Sequence, residues 1–117
     1  MAWDGEIYQG NHKTLQLTIT GTTDDISGWT IYFTVKKNES EPDSEAVIAK
    51  STADAAQIKV TDGANQQAEI YLVPADTREL AVGTYNYDVK AVTDAGNEYT
   101  VVGPTDFTVL GVVKRTV

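Results

Sequence analysis

The chain has 117 residues, a net charge of −8 and a pI near 4.4, with 41% hydrophobic and 22% charged residues. This length and composition predict one globular domain, residues 1–117, with a hydrophobic core of its own. The acidic charge disfavours binding to nucleic acid or to an anionic membrane surface. The absence of cysteine excludes disulfides and thiolate metal sites, so packing alone must hold the fold.

The first ten residues, MAWDGEIYQG, are acidic and lack a basic segment followed by an apolar run, so they do not resemble a secretory leader. No apolar run in the sequence is long enough to span a bilayer. We therefore expect a protein that stays in the cytoplasm where it is made and does not insert into a membrane.

Short segments in which apolar and polar residues alternate follow one another, separated by turns rich in Gly, Asn and Asp. The alternation in TLQLTIT (14–20), WTIYFTVK (29–36) and GTYNYDVKAV (83–92) is typical of half-buried β-strands. Weaker alternation predicts further strands at EIYQ, AVIAK, AQIKV, AEIYLV, EYTVV and DFTVLGVV. The residues expected to point inward are Leu15, Leu17, Ile19, Trp29, Ile31, Phe33, Val35, Ile58, Val60, Ala68, Ile70, Leu72, Tyr85, Tyr87, Val89, Ala91, Phe107 and Val109.

The segment PADTREL (74–80) is the one helical candidate, and it predicts a single turn. Asp76 is the expected cap, with Glu79 three residues later completing a capping box. Because no helix is available to cover a parallel sheet, many short strands predict an all-β fold of two packed antiparallel sheets. A β-sandwich of seven to nine strands is favoured over a barrel.

The segment LAVGTYNY has the layout of the corner that precedes the sixth strand of immunoglobulin-like sandwiches. Tyr85 would donate a hydrogen bond back to the backbone, and Tyr87 would point into the core where antibody domains place a cysteine. Phe33 or Trp29 is the expected partner of Tyr87 across the core. The fold class is therefore an immunoglobulin-like antiparallel β-sandwich, and both tyrosines are expected to serve structure in preference to ligand binding.

Two aromatic residues are candidates for an exposed contact. Tyr32 is predicted to point away from the core beside Thr30 and Thr34, and Trp3 precedes the first strand. An exposed aromatic ring can anchor a protein interface or stack on a sugar. An interface is favoured over carbohydrate, which stays open as an alternative, and Tyr32 could equally be covered by the N-terminal segment.

The C-terminal segment VLGVVKRTV concentrates apolar residues before two basic ones. If Gly111 bends the chain, residues 111–117 would form an extended tail that pairs with the sheet edge of a partner. The candidate contacts in this tail are Val112, Val113, Lys114 and Arg115.

The sequence gives little support for a catalytic, cofactor or metal site. His12 is the only histidine, so a histidine triad or a multi-histidine metal site is not available. Asp24 and Asp25, and the acids between Glu39 and Glu45, fall in predicted turns and not in a walled cleft. The ESEPDSE and DAGNE segments are rich in oxygen ligands but lack the spacing of a calcium loop. We therefore predict no enzyme, no cofactor and no metal site.

Three stretches together are similar to a known family. They are IYQGNHKTLQLTIT, DDISGWTIYFTVKKNESEPDSEAVIAKS and LAVGTYNYDVKAVTDAGNEYTVVGPTDFTV. In order and spacing they resemble the immunoglobulin-like N-terminal domain of phage baseplate upper proteins and related phage tail proteins. The similarity runs from Ile7 to Val109 and contains no catalytic motif.

The resemblance implies a structural or adaptor protein of a phage or prophage tail or baseplate that docks on other tail proteins or on copies of itself. Its location would be the bacterial cytoplasm during assembly and then the virion. The family domain opens a longer chain, whereas this sequence ends at Val117, so an adaptor is expected in preference to a receptor-binding protein. The alternative is a carbohydrate-binding or adhesin-like module of the same fold.

Overall fold

A computed structural model describes residues 5–114 of the chain. Eight strands make up most of this part: β1 (Glu6–Tyr8), β2 (Lys13–Thr18), β3 (Thr30–Lys36), β4 (Ile48–Ser51), β5 (Ile58–Asp62), β6 (Gln67–Leu72), β7 (Gly83–Val92) and β8 (Glu98–Leu110). Between them lie one helix, α1 (Pro74–Thr77), and two single 3-10 turns, Asp43–Glu45 and Gly63–Asn65. Residues 5–114 contain no helix long and apolar enough to cross a membrane.

The strands form two sheets around one hydrophobic core. The five-stranded sheet has the order β1-β8-β7-β3-β4, and the three-stranded sheet has the order β2-β6-β5. Buried side chains from both sheets belong to one continuous cluster. The predicted all-β character is confirmed, and two sheets on one core are compatible with a β-sandwich.

The core follows the predicted alternation closely. On β3, Ile31, Phe33 and Val35 are completely buried, while Tyr32 between them is exposed. The Phe33 ring lies 5.4 Å from Tyr87 and 6.3 Å from Phe107 between centroids, an aromatic cluster at the centre of the five-stranded sheet. Burying an aromatic or branched apolar side chain completely contributes about 1.5–3 kcal/mol, so this alternation supplies much of the driving force for folding.

One strand pairing contradicts the expectation of a purely antiparallel fold. β1 pairs with β8 in parallel, with Glu6 opposite Thr108 and Tyr8 opposite Leu110. The two strands come from opposite ends of the described chain, so no hairpin fixes their relative direction. After β1 the chain turns at Gly10 and enters the other sheet as β2, which leaves β1 as a short edge strand.

The prediction of separate strands at EYTVV and DFTVLGVV is wrong, because the single strand β8 runs through Gly103 and Pro104, two residues typical of turns. Tyr87 pairs with Thr105 and Val89 with Val102, so β8 uses one more residue than β7 across this interval. A β-bulge accommodates Gly103 and Pro104 without ending the strand. The missing N–H of Pro104 is tolerated because β1 pairs only with the far end of β8, from Thr108 onward.

The single turn predicted in PADTREL is confirmed as α1, but its cap differs from the prediction. Pro74 is the first helical residue, and Val73 takes the N-cap position. The Asp76 carboxylate, at the third helical position, accepts a hydrogen bond of 2.8 Å from the N–H of Val73. Asp76 therefore takes the role predicted for Glu79, that of the third helical residue in a capping box. The helix starts at Pro74 because proline prefers the first turn.

The same carboxylate holds a buried ion pair. Lys50, on the inward face of β4, is only 7% exposed, and its Nζ lies 2.8 Å from Oδ2 of Asp76. This contact ties an edge strand of the larger sheet to the connection between β6 and β7. A buried ammonium requires such a charged partner, because removal from water is costly.

Candidate functional site

The side chains of β3, β7 and β8 that point away from the core define the outer face of the five-stranded sheet. Tyr32 lies within it, 42% exposed, opposite Lys90 of β7 and Ser51 of β4. Its neighbours along β3, Ile31 and Phe33, are fully buried, so the backbone that presents the ring is held rigidly by the core. The predicted outward position of Tyr32 agrees with this arrangement.

Two ion pairs lie on the outer face around Tyr32. Lys36 Nζ is 2.8 Å from Oδ1 of Asp43 and also donates a hydrogen bond to the Glu41 carbonyl. Lys90 Nζ is 2.7 Å from Oε1 of Glu98. Hydrogen bonding to the lysines lowers the pKa of Asp43 and of Glu98, and the Glu98 carboxylate raises the pKa of Lys90. The outer face thus presents an aromatic ring among charges of both signs.

A depression of about 460 Å³ runs across the outer face, with Tyr32, Thr34, Lys36, Lys90 and Pro104 among its lining residues. The fixed strands supply its floor, and the paired lysines and acids lie in its walls. Such a mixture of aromatic and charged side chains is suited to protein contact, because aromatic anchors supply area and charges set orientation.

A second concavity lies at the end of the molecule where the loop before β3 meets the hairpin between β7 and β8. We call it the loop-end groove; it has a volume of about 730 Å³. Tyr99, 53% exposed, stacks on Trp29 with centroids 6.3 Å apart and planes 24° apart. Three carboxylates, Asp24, Asp25 and Asp94, line the groove, and its lining residues include no lysine or arginine.

The sequence interpretation missed Tyr99. It identified EYTVV as a strand, but the position of the tyrosine depends on the β7–β8 register, which places Tyr99 opposite the buried Ala91. Of the two alternative partners predicted for Tyr87, Phe33 is the one that packs against it, and Trp29 stacks with Tyr99. The alternating pattern could identify the face on which Tyr99 lies only if the register shifts of β8 were known.

The exposed tyrosines do not form one aromatic platform. Tyr32 points outward from β3, whereas Tyr99 shares the inward side with Ala91 and covers Trp29. Tyr8, 51% exposed, belongs to β1, three strands from β3, and lies near the opposite end of the sheet. A ligand that stacks on several coplanar rings could therefore contact only one of these three tyrosines.

The two corner tyrosines make internal contacts. The Tyr85 hydroxyl donates a 2.8 Å hydrogen bond to the Ala81 carbonyl, four residues upstream. Tyr87 is 5% exposed and packs against Phe33, and burial raises its pKa. Neither ring is available on the surface as a docking residue.

The candidate tail residues begin where β8 ends. The strand stops at Leu110, so the predicted continuation through Gly111 into residues 112–113 is not formed. Val112 is half-buried, whereas Val113 and Lys114 are exposed. Arg115 and Trp3, the other two predicted contacts, lie outside the described residues.

The acids weighed for chemistry lie in different parts of the surface: Asp24 and Asp25 line the loop-end groove, and Asp43 lines the depression on the outer face. His12 is exposed, and within residues 5–114 no group of three or more His, Asp or Glu side chains is placed to hold a metal ion. Asp25 accepts hydrogen bonds from the N–H and hydroxyl of Ser27, which lower its pKa. A general acid at neutral pH needs the opposite shift. The absence of enzymatic activity and of a cofactor stays a prediction.

Comparison with known proteins finds no family model that matches the chain and no curated protein that matches it. Functional inference therefore depends on the geometry described above and on the sequence resemblance.

Proposed function

We propose that the protein is an immunoglobulin-like docking module that acts by protein–protein contact as a structural or adaptor component of a phage or prophage tail or baseplate. Its partners would be other tail or baseplate proteins. It would be made in the bacterial cytoplasm and then incorporated into the virion. The docking role and the phage role have different support, and separate experiments test them.

The strand order supports the immunoglobulin type. In that fold the second, fifth and fourth strands form one sheet, and the third, sixth and seventh form the other. If β1 is taken as the first strand and β4 as an added edge strand next to the third, the order β2-β6-β5 against β8-β7-β3-β4 agrees with this scheme. The Tyr85 bond to Ala81 at the start of β7 is the corner expected there, and Tyr87 follows two residues later.

The observation that carries the docking role is the exposed ring of Tyr32 on a rigid sheet face, with the Lys36–Asp43 and Lys90–Glu98 pairs beside it. Tyrosine at the centre of a patch is a frequent interface anchor, because it adds contact area at a low cost in conformational entropy. The phage role is supported by the similarity of three stretches between Ile7 and Val109 to phage baseplate and tail domains.

Mass spectrometry of phage particles purified after induction of the source strain tests the phage role. We expect the chain at a fixed ratio to the major tail protein. Absence from clean particles would overturn a virion role.

The docking role is tested by complementing a deletion strain with Tyr32→Ala and, as matched control, Tyr8→Ala. Both substitutions remove an exposed tyrosine ring from the five-stranded sheet. We expect Tyr32→Ala to lower incorporation into particles and Tyr8→Ala to leave it unchanged. Equal incorporation of the two variants would contradict docking through the outer face.

Residues 111–117 are proposed as a second assembly contact, since Val113 is fully exposed and two basic residues, Lys114 and Arg115, follow it in an acidic chain. We expect deletion of residues 111–117 to abolish complex formation with the tail partner while the domain stays folded by circular dichroism. Unchanged complex formation after the deletion would overturn this contact.

The alternative function, carbohydrate binding, is favoured by one observation, the loop-end groove. There the exposed Tyr99 ring lies beside hydroxyl, amide and carboxylate side chains. The ring can stack on a sugar, and the polar side chains can hydrogen-bond its hydroxyl groups. A glycan array with the wild type and Tyr99→Ala separates the two functions. Binding that Tyr99→Ala abolishes would favour the carbohydrate module, and an empty array would favour docking.

A further inference from the structure

Most sheet edges in residues 5–114 carry features that discourage pairing with another chain. β1 has only three residues, and the first half of β8 contains the bulge at Pro104. On β4, the Ser51 N–H is already occupied by the side-chain oxygen of Gln57. β5 shifts register between Val60 and Asp62, and its side chains include charged residues. Short, bulged and charged edges are the usual ways in which soluble proteins prevent edge-to-edge association.

The edge of β2 has only one of these features, the charge of Lys13 at its first position. All six residues, Lys13–Thr18, pair one to one with β6 without a register shift, and the strand contains no Pro or Gly. Its exposed side chains, Thr14, Gln16 and Thr18, carry no charge. In the described part of the chain no strand lies on the other side of β2. From Thr14 to Thr18 the edge is therefore regular, unbroken and uncharged.

The hydrogen-bonding groups of this edge follow from the pairing with β6. The N–H of Ile19 donates to the Gln66 carbonyl, so Ile19 directs its backbone groups toward β6. Backbone groups alternate in direction along an antiparallel strand. The N–H and C=O groups of Thr14, Gln16 and Thr18 therefore point away from β6, toward the open side.

We propose that β2 pairs in antiparallel with β2 of a second copy of this chain, about a two-fold axis through Gln16. In this register Thr14 lies opposite Thr18 of the second copy, and Gln16 lies opposite its own counterpart. The three residue pairs make about six main-chain hydrogen bonds and join two three-stranded sheets into one six-stranded sheet.

A second copy is the occupant that this edge fits, because the two-fold register is self-complementary. The Thr–Thr pairs place β-branched side chains opposite each other, a favourable combination across strands. No charged residue lies opposite another: Lys13 lies opposite Ile19 of the second copy. The two copies can therefore meet at this edge despite a net charge of −8 on each. The pairing is independent of the proposed virion role and of the outer face.

The oligomeric state of the wild-type protein is the first test. Sedimentation velocity over a concentration series should show a reversible monomer–dimer equilibrium. A monomer at every concentration up to the solubility limit would overturn the proposal.

Two double variants test the register. Thr14→Lys with Thr18→Glu places opposite charges across the axis twice, whereas Thr14→Lys with Thr18→Lys places like charges there twice. We expect the first variant to dimerise and the second to dimerise at least roughly tenfold more weakly. Both change the same two exposed positions, and circular dichroism checks that both are folded. Equal dimerisation of the two variants would overturn the register.

Cross-linking locates the axis directly, because the native sequence has no cysteine. Opposed residues of an antiparallel hydrogen-bonded pair have Cα atoms about 5.5 Å apart, within the range of a disulfide. Gln16→Cys should therefore oxidise to a covalent dimer. The matched control, Thr61→Cys, introduces an exposed cysteine on β5 and should stay monomeric. Equal cross-linking of both variants would contradict an axis at Gln16.

Discussion

The Tyr85 hydroxyl is the polar group that closes the corner before β7. Its side chain is 8% exposed, and its hydroxyl donates a hydrogen bond to the Ala81 carbonyl. We expect Tyr85→Phe to lower the free energy of unfolding by about 1 kcal/mol, the usual contribution of one hydrogen bond. Urea unfolding measures the change. Tyr8→Phe, on an exposed ring, is the control, and equal losses in the two variants would contradict a structural corner.

The buried pair of Lys50 and Asp76 predicts a strongly non-additive mutant cycle. Asp76→Asn keeps an acceptor for the Val73 N–H but leaves the Lys50 ammonium without its charged partner. We expect a loss of about 3–5 kcal/mol. Lys50→Met in the same chain should recover much of it, because no charge then stays buried. Urea unfolding of the two single variants and the double variant gives the coupling; additive losses would contradict the pair.

Lys50 also shows where a residue-level interpretation of the sequence fails. Alternation in AVIAK places Ile48 and Lys50 on the same face, and the structure buries both. The charge of Lys50 argues for an exposed position, and the partner that resolves the conflict lies 26 positions later in the sequence, at Asp76. No local pattern connects the two residues.

At the scale of elements, the turn into β1 depends on a glycine for two reasons. Gly5 has φ of +83°, and a Cβ atom at this position would lie 2.8 Å from the Asp106 carbonyl oxygen. Gly21 has nearly the same φ, +85°, but open space around it. We expect Gly5→Ala to destabilise the protein more than Gly21→Ala, which costs about 1–2 kcal/mol through backbone strain alone. Urea unfolding of both variants compares them, and equal losses would show that the contact with Asp106 relaxes freely.

The strands were predictable where alternation is strong. β3 and β7 lie within their predicted segments, and β2 overlaps its predicted segment but begins one residue earlier, at Lys13. Period-two patterns identify a half-buried strand from local information. The turn between β7 and β8 contains Gly96, whose φ of +88° is a conformation that glycine adopts readily. The parallel β1–β8 pairing and the continuous course of β8 through Pro104 were not predictable, because both depend on contacts between distant segments.

The candidate site was predictable to a similar degree. The exposure of Tyr32 follows from its place between two buried neighbours on β3. The stacking of Tyr99 on Trp29 required two bulges in β8, which the sequence signals only as a glycine and a proline within an apolar run. Residues on a regular strand can be assigned to a face, whereas residues beyond a bulge cannot.

For the molecule as a whole, four carboxyl groups with lowered pKa values link stability to pH. Asp25, Asp43, Glu69 and Glu98 all accept hydrogen bonds that favour the charged form. A lowered folded-state pKa stabilises the protein above the unfolded value, about 3.8 for Asp and 4.5 for Glu. This contribution is lost as the pH falls through the folded value. We therefore expect these groups to lose their stabilising effect as the pH falls below these unfolded values.

Glu69 allows that expectation to be measured apart from the overall charge. Its carboxylate accepts hydrogen bonds from Gln16 Nε2 at 2.6 Å and from the Tyr71 hydroxyl at 2.9 Å. Urea midpoints of the wild type and Glu69→Gln should differ at pH 7 and converge in acid. A difference that grows as the pH falls would contradict the sign of the lowered pKa.

The parallel pairing of β1 with β8 also determines how the molecule carries mechanical tension. The N-terminal side of the described chain enters at one end of this pair, where Thr108 N–H donates to Gly5. The C-terminal side leaves at the other end, where Gln9 N–H donates to Leu110. A pull that separates the two sides therefore slides β1 along β8 and loads all their hydrogen bonds together, in shear. The hydrogen bonds between Glu6–Tyr8 and β8 must therefore break before the force reaches the core.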